Sequence, residues 1–302
     1  MKEETGSKMA QILDGKVTAK QIRTELKAMA EQLSEKGIVP GLAAVLVGDD
    51  PASEIYVSSK AKACDKVGFY SEVIRKPKDT SQEELTSLIT DLNGRPDIHG
   101  ILIQDPVPSH LNSLELIMLV NPLKDVDGFH PANIGMMLLG QPSFLACTPL
   151  GILELLRRNG ISPSGKDVVI LGRGNIVGKP LSVLLSQKWK GSNATVTMCH
   201  TGTKDITSHT RRADLVIAAM GKSEFLTGDM ISEGCIVIDV GINRIEDPSK
   251  KKGYRLTGDA HFESCEKKAS YISPVPGGVG PMTIAMLLSN TLKSCKMLSG
   301  IQ

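Results

Sequence analysis

The sequence has few aromatic residues, no long apolar run and almost no net charge, and each of these absences excludes a class of protein. Phe, Trp and Tyr together make up 3% of the 302 residues, which is too few for the base-stacking platforms of nucleic-acid binders. The net charge is +2, without the basic patch that a nucleic-acid footprint needs. No apolar run approaches the roughly 20 residues of a membrane helix. We therefore expect neither nucleic acid nor a membrane as a partner.

Cysteine is present but unpaired in the sequence, which argues against a disulfide scaffold and against a metal centre. The six cysteines form no C-x-x-C pair and have no histidine at metal-ligand spacing. The first residues, from Met1 to Gly6, are polar and lack the apolar core of a signal peptide. We predict a cytoplasmic protein without a metal site.

Alternating apolar runs and helical patterns predict an α/β protein with a mostly parallel sheet. The clearest strand is Gly41–Val47, and a capping box at residues 18–21 predicts the start of the first helix. The length suits two domains. We predict an N-terminal substrate domain of residues 1–149 plus 281–302 and a Rossmann-like domain of residues 150–280. The last helix, from Pro281 to about Leu298, is expected to pack back on the first domain.

The most informative segment runs from Val168 to Gly178. A buried-looking apolar run ends in the glycine-spaced turn Gly172-x-Gly174-x-x-x-Gly178, after which a helical pattern begins. Glycines let a backbone approach a pyrophosphate, and a helix N-terminus offers free N–H donors to it. The spacing is one residue longer than the usual dinucleotide fingerprint, and such turns are often plain strand–helix connections.

The residues around this turn favour NADP over NAD. An Asp or Glu normally follows the next strand and holds the ribose 2′-hydroxyl, but the strand 194–199 leads into His200 and Thr201 instead. Together with Arg173 and Lys204, these residues suit a 2′-phosphate. The alternative is that they are solvated loop residues.

Candidate acid–base residues lie in the first half of the chain. Tyr56 and Lys60 are four residues apart, so they share one helix face. A lysine withdrawn from water can serve in proton transfer, although most lysines are simply exposed. Gln104 and Asp105 follow the end of a strand, where open α/β sheets bind ligands.

Two further segments allow two interpretations each. In 124–130, Asp125 and Asp127 could hold a ligand, or form a turn-stabilising cluster; a third hard ligand for a metal is missing at useful spacing. The dense prolines and glycines of 273–283 could line a ligand or form a hinge.

Taken together, these segments resemble the bifunctional methylenetetrahydrofolate dehydrogenase/methenyltetrahydrofolate cyclohydrolase family. The resemblance covers nearly the whole chain, from about Ile12 to Lys296, and its last two motifs in particular are highly specific. The matching motifs are Tyr56-x-x-x-Lys60, Gln104-x-Pro106, Cys147-Thr-Pro149, Gly172-Arg173-x-x-Ile-Val-Gly178, Lys124-Asp-Val-Asp127-Gly-Phe-His130 and Pro274-Val-Pro-Gly-Gly-Val-Gly-Pro-Met-Thr283.

The resemblance implies an enzyme of one-carbon metabolism. It would oxidise 5,10-methylenetetrahydrofolate with NADP⁺ to the 5,10-methenyl cation and hydrolyse that cation to 10-formyltetrahydrofolate. It also implies a homodimer. A non-catalytic NADP-binding protein is the less favoured interpretation, because the motif residues of both reactions are intact.

The resemblance also assigns residue roles. Lys60 is the acid–base residue, Tyr56 stacks on the folate, Gln104 hydrogen-bonds within the Lys60 site, and Asp127 holds the pterin edge. The remaining expected folate contacts are Val279, Gly280 and Pro281. The expected cofactor contacts are Gly172, Arg173, Gly174, Ile176, Val177, His200 and Thr201.

Three positions depart from the family pattern. Thr201 replaces a usual serine but keeps its hydroxyl, so the preference for NADP should be retained. Asp105 stands where the family commonly has leucine; paired with Lys60, it would favour the charged amine. This gives an alternative function, a monofunctional dehydrogenase with weakened hydrolysis, unless Asp105 points into solvent. Gly174 replaces a usual serine, which removes one hydroxyl near the cofactor phosphates.

Overall fold

The computed structural model describes residues 9–250 and 253–301, so the expectation about the first residues lies outside the described part. The helices of the described part are α1 (Gly15–Ser34), α2 (Pro51–Val67), α3 (Gln82–Gly94), α4 (Ser113–Leu119), α5 (Pro131–Leu138), α6 (Cys147–Arg158), α7 (Gly178–Ser186), α8 (Ile206–Thr210), α9 (Phe262–Glu266) and α10 (Val279–Leu298). The strands are β1 (Gln11–Ile12), β2 (Gly41–Val47), β3 (Tyr70–Lys76), β4 (Gly100–Ile103), β5 (Asp167–Leu171), β6 (Thr195–Cys199), β7 (Leu215–Ala218), β8 (Ile236–Asp239), β9 (Asn243–Glu246), β10 (Tyr254–Thr257) and β11 (Tyr271–Ile272).

The chain forms two compact units, which we name by their main sheets. The three-strand unit contains Ala19–Cys147 and the described residues from Ile284 onward. The six-strand unit contains the described residues up to Thr18 together with Thr148–Thr283. No helix among the described residues is long and apolar enough to cross a membrane.

The three-strand unit is built on a parallel sheet in the order β3-β2-β4. Every residue of the central strand β2 is buried, as expected for a parallel strand covered on both faces. Val45 of β2 and Ile89 of α3 belong to the same buried hydrophobic cluster. The sheet edge at the carboxyl ends of these strands is therefore held rigidly by a buried core.

The six-strand unit contains a wholly parallel sheet in the order β1-β11-β8-β7-β5-β6. The chain passes from β5 to β6 on one side and then to β7 on the other side. This reversal is the topological switch point at which doubly wound sheets bind ligands. The predicted α/β class, with a Rossmann-like second part, is confirmed.

Residues 9–18 belong to the six-strand unit, in which β1 pairs with β11, whereas the predicted first domain began at residue 1. The structure also places the start of α1 earlier than the predicted capping box. The Asp14 carboxylate accepts the backbone N–H groups of Lys16 (2.8 Å) and Val17 (3.0 Å). Thr18 lies inside the helix, and its hydroxyl donates to the Asp14 carbonyl at 2.9 Å. The predicted cap at Thr18 is therefore wrong, because Asp14 supplies it.

The C-terminal part of α10 packs into the three-strand unit, as predicted. Asn290 is buried, and its amide donates to the carbonyls of Val126 (2.8 Å) and Leu145 (3.0 Å). The hydroxyl of Ser294 donates to the Leu123 carbonyl at 2.6 Å. These bonds tie α10 to the segment that carries Asp127.

Candidate active site and cofactor site

Lys60 and Gln104 form a hydrogen-bonded pair, which the spacing of the sequence alone did not require. Lys60 lies on α2, whose N-terminus is capped by Asp50. Gln104 follows directly after β4. The Lys60 ammonium donates to the Gln104 side-chain oxygen at 2.9 Å, and the Gln104 amide nitrogen donates to the Asp105 carbonyl at 2.7 Å. The second bond fixes which end of the amide faces Lys60.

Tyr56 lies one turn before Lys60 on the same helix, as predicted. Its side chain is 42% exposed. A phenol ring that is half open to solvent offers a face on which a flat ligand can stack.

Asp105 does not pair with Lys60. It is exposed, and its carboxylate accepts the Ser113 hydroxyl at 3.1 Å. The salt bridges found among the described residues do not join it to Lys60. This geometry disfavours the alternative of a dehydrogenase with weakened hydrolysis.

In the segment 124–130, the first two charged side chains, Lys124 and Asp125, bind the protein backbone and stabilise the fold. Lys124 is buried and donates to the carbonyls at the end of α3, those of Leu92 (3.2 Å), Asn93 (2.8 Å) and Arg95 (2.7 Å). Burial lowers the pKa of its ammonium. Lys124 therefore caps a helix C-terminus and is not available to a ligand.

Asp125 is likewise committed to the protein backbone. Its carboxylate accepts the N–H groups of Gly128 (3.1 Å), Phe129 (3.2 Å) and His130 (2.8 Å), and the side-chain amide of Asn133 (2.7 Å). This is the turn-stabilising cluster that the sequence left open as one interpretation. It leaves Asp127 as the carboxylate of the segment that a ligand can use.

Asp127 is partly buried. Burial raises the pKa of its carboxyl, and the nearby positive charge of Lys60 opposes that shift. Cys147 lies beside it. Burial and the Asp127 charge both raise the pKa of this thiol well above its ordinary value, so Cys147 stays protonated and is a poor nucleophile.

No group of His, Cys, Asp or Glu side chains in the described ranges 9–250 and 253–301 is arranged to hold a metal ion. The chemistry on which Lys60, Gln104 and Asp127 converge is proton transfer and hydrogen bonding.

The glycine turn after β5 needs two of its three glycines for steric reasons. Gly172 has φ +120°, and a Cβ there would overlap the carbonyl of Ala219. A Cβ at Gly178 would overlap the carbonyl of Gly172. Gly174 has open space around it. The turn is therefore a tight backbone cradle with one open position.

The N-terminus of α7 follows this cradle and lacks a side-chain cap. Its N-cap residue Val177 makes no capping hydrogen bond. Arg173 and Ile176 are exposed beside it. In this first turn the Lys179 N–H already donates to the Gly174 carbonyl at 3.1 Å and Pro180 has no N–H. The Gly178 N–H and the nearby Arg173 are therefore the donors that this helix start can offer to the phosphates of a dinucleotide.

His200 and Thr201 lie at the carboxyl end of the neighbouring strand. The Gly172 N–H donates to the Cys199 carbonyl at 2.8 Å, which joins the glycine turn to that strand end. The Gly202 N–H donates to His200 Nδ1 at 3.0 Å, and Thr201 is exposed. The structure therefore brings the predicted cofactor residues together at one edge of the six-strand sheet.

Val279, Gly280 and Pro281 begin α10 and belong to the six-strand unit. Gly280 is exposed, Pro281 is half-buried and Val279 is buried. A ligand at this segment would therefore reach Gly280 and Pro281 more readily than Val279.

Sequence analysis missed two buried carboxylates of the six-strand unit, Asp239 and Asp259. They are 3% and 0% exposed. Burial raises the pKa of Asp239 to about 6, although backbone N–H donors oppose that shift. A carboxylate that ends an apolar strand, as Asp239 does, is the signal that could have revealed the pair.

Comparison with known proteins now decides the family. A model of the tetrahydrofolate dehydrogenase/cyclohydrolase catalytic domain matches residues 13–127. A model of the NAD(P)-binding domain of the same family matches residues 146–299. The chain belongs to the tetrahydrofolate dehydrogenase/cyclohydrolase family.

Individual members of this family are similar over almost their whole length. The bifunctional protein FolD of Chloroherpeton thalassium is 54% identical over 286 residues, covering 94% of this chain and 97% of that protein. The bifunctional FolD structure from Campylobacter jejuni is 49% identical with a TM-score of 0.90, covering 95% and 99% of the two chains. The FolD structure from Trypanosoma brucei, complexed with NADP cofactor and inhibitor, is 39% identical with a TM-score of 0.91, covering 96% and 98%.

Proposed function

We propose that this chain oxidises 5,10-methylenetetrahydrofolate with NADP⁺ and hydrolyses the resulting methenyl cation to 10-formyltetrahydrofolate. The family and the bifunctional relatives support this assignment. The observation that carries it is the Lys60–Gln104 hydrogen bond, because it places an amine with a defined orientation beside the partly buried Asp127.

The oxidation needs little from the protein beyond holding two rings in register. NADP⁺, when bound, accepts the hydride. Gly172 and Gly178 let the backbone approach its pyrophosphate, and the Gly178 N–H at the start of α7 supplies a donor. Arg173 and Thr201 bind the 2′-phosphate, while Gly174, Ile176, Val177 and His200 complete the cofactor contacts.

The hydrolysis is a proton-transfer reaction in which Lys60 acts twice. Water adds to the methenyl carbon while the neutral Lys60 amine takes one of its protons. The same group then returns the proton to the folate N5 as the carbon–N5 bond breaks, and the remaining hydroxyl proton leaves to solvent, which gives the N10-formyl product. The cationic substrate favours the neutral amine at the start, because like charges repel.

Substrate recognition uses groups with matching hydrogen-bonding capacity. Asp127 accepts the N–H donors of the pterin edge, and Tyr56 stacks on the folate. Gln104 holds Lys60 in position through the 2.9 Å bond. Val279, Gly280 and Pro281 are proposed as further folate contacts on the basis of the family resemblance.

The same resemblance supports a homodimer and a cytoplasmic location. All six cysteines are buried free thiols, as expected in a reducing compartment. Sedimentation of the purified protein tests the dimer.

The test of the function follows two products of one reaction separately. Purified protein is mixed with methylenetetrahydrofolate and NADP⁺, and NADPH and the methenyl cation are recorded by absorbance. We expect NADPH to rise without accumulation of the methenyl cation. Absence of NADPH with either NADP⁺ or NAD⁺ would refute the dehydrogenase assignment.

Substitution of two lysines on α2, Lys60 and Lys62, distinguishes a catalytic effect from an effect on folding. Lys60→Met is expected to slow hydrolysis by roughly 10²–10⁴-fold, the usual contribution of a positioned base, so that the methenyl cation accumulates. Lys62, two residues later, is exposed, and Lys62→Met is the matched control with unchanged hydrolysis. Equal hydrolysis rates in the two variants would contradict the role of Lys60.

A further inference from the structure

The six-strand unit buries two carboxylates that the proposed reactions do not use. Asp239 ends β8, and Asp259 follows β10 by two residues. Their exposures of 3% and 0% mean that an ionised form needs hydrogen bonds to compensate for lost water. The partners of these two side chains therefore reveal what they hold in place.

Asp259 holds the loop that follows β7. One carboxylate oxygen accepts the backbone N–H groups of Met220 (2.7 Å) and Gly221 (2.8 Å). The other oxygen accepts the side-chain amide of Asn243 at 2.8 Å. Both loop amides are thus fixed by a single side chain, which is itself oriented by Asn243.

Asp239 in turn holds the backbone of Asp259. Its carboxylate accepts the N–H groups of Asp259 (2.9 Å), Ala260 (2.8 Å) and Gly241 (3.0 Å). A Cβ at Gly241 would overlap the Asp259 carboxylate, and a Cβ at Gly258 would overlap that of Asp239. The network therefore has one packing arrangement and no room for a larger side chain.

The loop held by Asp259 is in contact with the glycine turn. Its first residue, Ala219, carries the carbonyl that a Cβ at Gly172 would overlap. β5 and β7 are neighbours in the sheet, on the two sides of the switch point where such folds bind their ligand. Movement of Met220 and Gly221 would remove the surface against which Gly172 rests.

We propose that Asp259 is a positioning residue of the NADP site. It fixes the Met220–Gly221 backbone, which keeps Gly172 in the shape that admits the cofactor. The inference rests on the proposed function, because it requires NADP to be the ligand of the glycine turn.

Asp259→Asn is the test. An amide offers one oxygen and one NH₂ group where the carboxylate offers two acceptors, so either Asn243 or the loop amides lose their partner. We expect calorimetry to show NADP⁺ affinity reduced by at least about tenfold. Hydrogen exchange at Met220 and Gly221 should accelerate.

Hydrolysis of the methenyl cation without NADP⁺ provides the internal control, because its proposed proton-transfer group, Lys60, belongs to the other unit. The rate of this hydrolysis should be unchanged in Asp259→Asn. The matched substitution at an exposed carboxylate of the same unit, Asp229→Asn, should leave NADP⁺ affinity unchanged. Asn243→Ala removes the amide that orients Asp259 and that also donates to the Gly258 carbonyl at 3.2 Å. It should weaken NADP⁺ binding less, and it decides by the same criteria if Asp259→Asn does not fold.

The outcomes separate the inference from the function on which it rests. Unchanged NADP⁺ affinity in a folded variant would overturn the positioning role. A parallel loss of hydrolysis and NADP⁺ binding would also overturn it, since a general structural defect would then explain both. If the unsubstituted protein fails to bind NADP⁺, the proposed function itself is wrong.

Discussion

Gly172→Ala and Gly174→Ser alter two glycines of one turn and are expected to act in opposite directions. The two positions are separated by a single residue but differ in backbone conformation and in free space. The first substitution tests whether the cradle needs glycine. The second restores the serine that the family usually has at this place.

The cost of Gly172→Ala follows from strain and overlap. A φ of +120° is a conformation that L-residues rarely adopt, at a cost of about 1–3 kcal/mol. The new methyl group also overlaps the Ala219 carbonyl, so the loop after β7 must shift. We expect the free energy of unfolding to fall by about 2–4 kcal/mol and NADP⁺ affinity to fall by at least about tenfold.

Gly174→Ser meets neither obstacle. No atom lies within 4 Å of a Cβ built there, and the backbone is not in the positive-φ region. Replacing a compatible glycine typically stabilises a protein by about 0.4–1 kcal/mol through the unfolded chain. A new hydroxyl that donates to a phosphate contributes about 0.5–1.5 kcal/mol net, which corresponds to roughly twofold to twelvefold tighter NADP⁺ binding.

Calorimetric titration with NADP⁺ and urea unfolding measure the two effects separately. Gly174→Ala is the control that adds the Cβ without the hydroxyl; it should share the gain in stability but not the gain in affinity. If Gly174→Ser binds NADP⁺ no better than Gly174→Ala, phosphate does not lie at this position. If Gly172→Ala binds NADP⁺ normally, the assignment of the cradle is refuted.

Three further substitutions test the other side chains of the site. Asp105→Leu should leave the pH–rate profile of hydrolysis unchanged, because Asp105 bonds to Ser113 and not to Lys60; a shifted profile would contradict this geometry. The KM for folate should rise as pH falls through the raised pKa of Asp127, because protonation removes a hydrogen-bond acceptor. Asp127→Asn should remove this pH dependence of the KM; if the dependence persists in the variant, another group causes it. Lys124→Met should lower the free energy of unfolding, measured in urea, by about 2–4 kcal/mol, because it leaves three carbonyls unpaired. The control Lys27→Met, at an exposed lysine, should change this free energy by less than about 0.5 kcal/mol. Equal effects of the two substitutions would refute the capping role of Lys124.

Long, strongly patterned elements could be predicted from the sequence because their signal is local. β2 has the predicted bounds, since seven consecutive buried residues leave a continuous apolar run. β3 continues to Lys76, because Arg75 and Lys76 pair with β2 despite their charge. Backbone pairing there overrides side-chain polarity.

Short elements escaped prediction because they depend on tertiary partners. α4 and α5 have seven and eight residues, too few to show a helical period. β1 and β11 have two residues each and are strands only by virtue of their pairing. The assignment of residues up to Thr18 to the six-strand unit follows from that pairing, so no local pattern could have revealed it.

The sequence identified the residues of the candidate site, but it did not show which residue of a motif binds the backbone and which is free to bind a ligand. The sequence gives Asp125 and Asp127 the same residue type in the same turn. Only the hydrogen bonds of the fold show that Asp125 is used by the backbone and that Asp127 is left for a ligand. For the same reason, the sequence could not decide whether Asp105 faces Lys60 or solvent.

The division of the proposed residues between two units has a chemical consequence for a bifunctional enzyme. Hydrolysis needs a positioned amine and water, and Lys60 and Gln104 supply the amine within the three-strand unit. In the proposed function, oxidation uses the cradle of Gly172, which belongs to the six-strand unit. Damage to the cradle should therefore abolish NADPH formation while added methenyl cation is still hydrolysed. Loss of Lys60 should instead slow hydrolysis of the methenyl cation while NADP⁺ still binds. Two activities that fail together in both kinds of variant would show that the residues of the two units do not act separately.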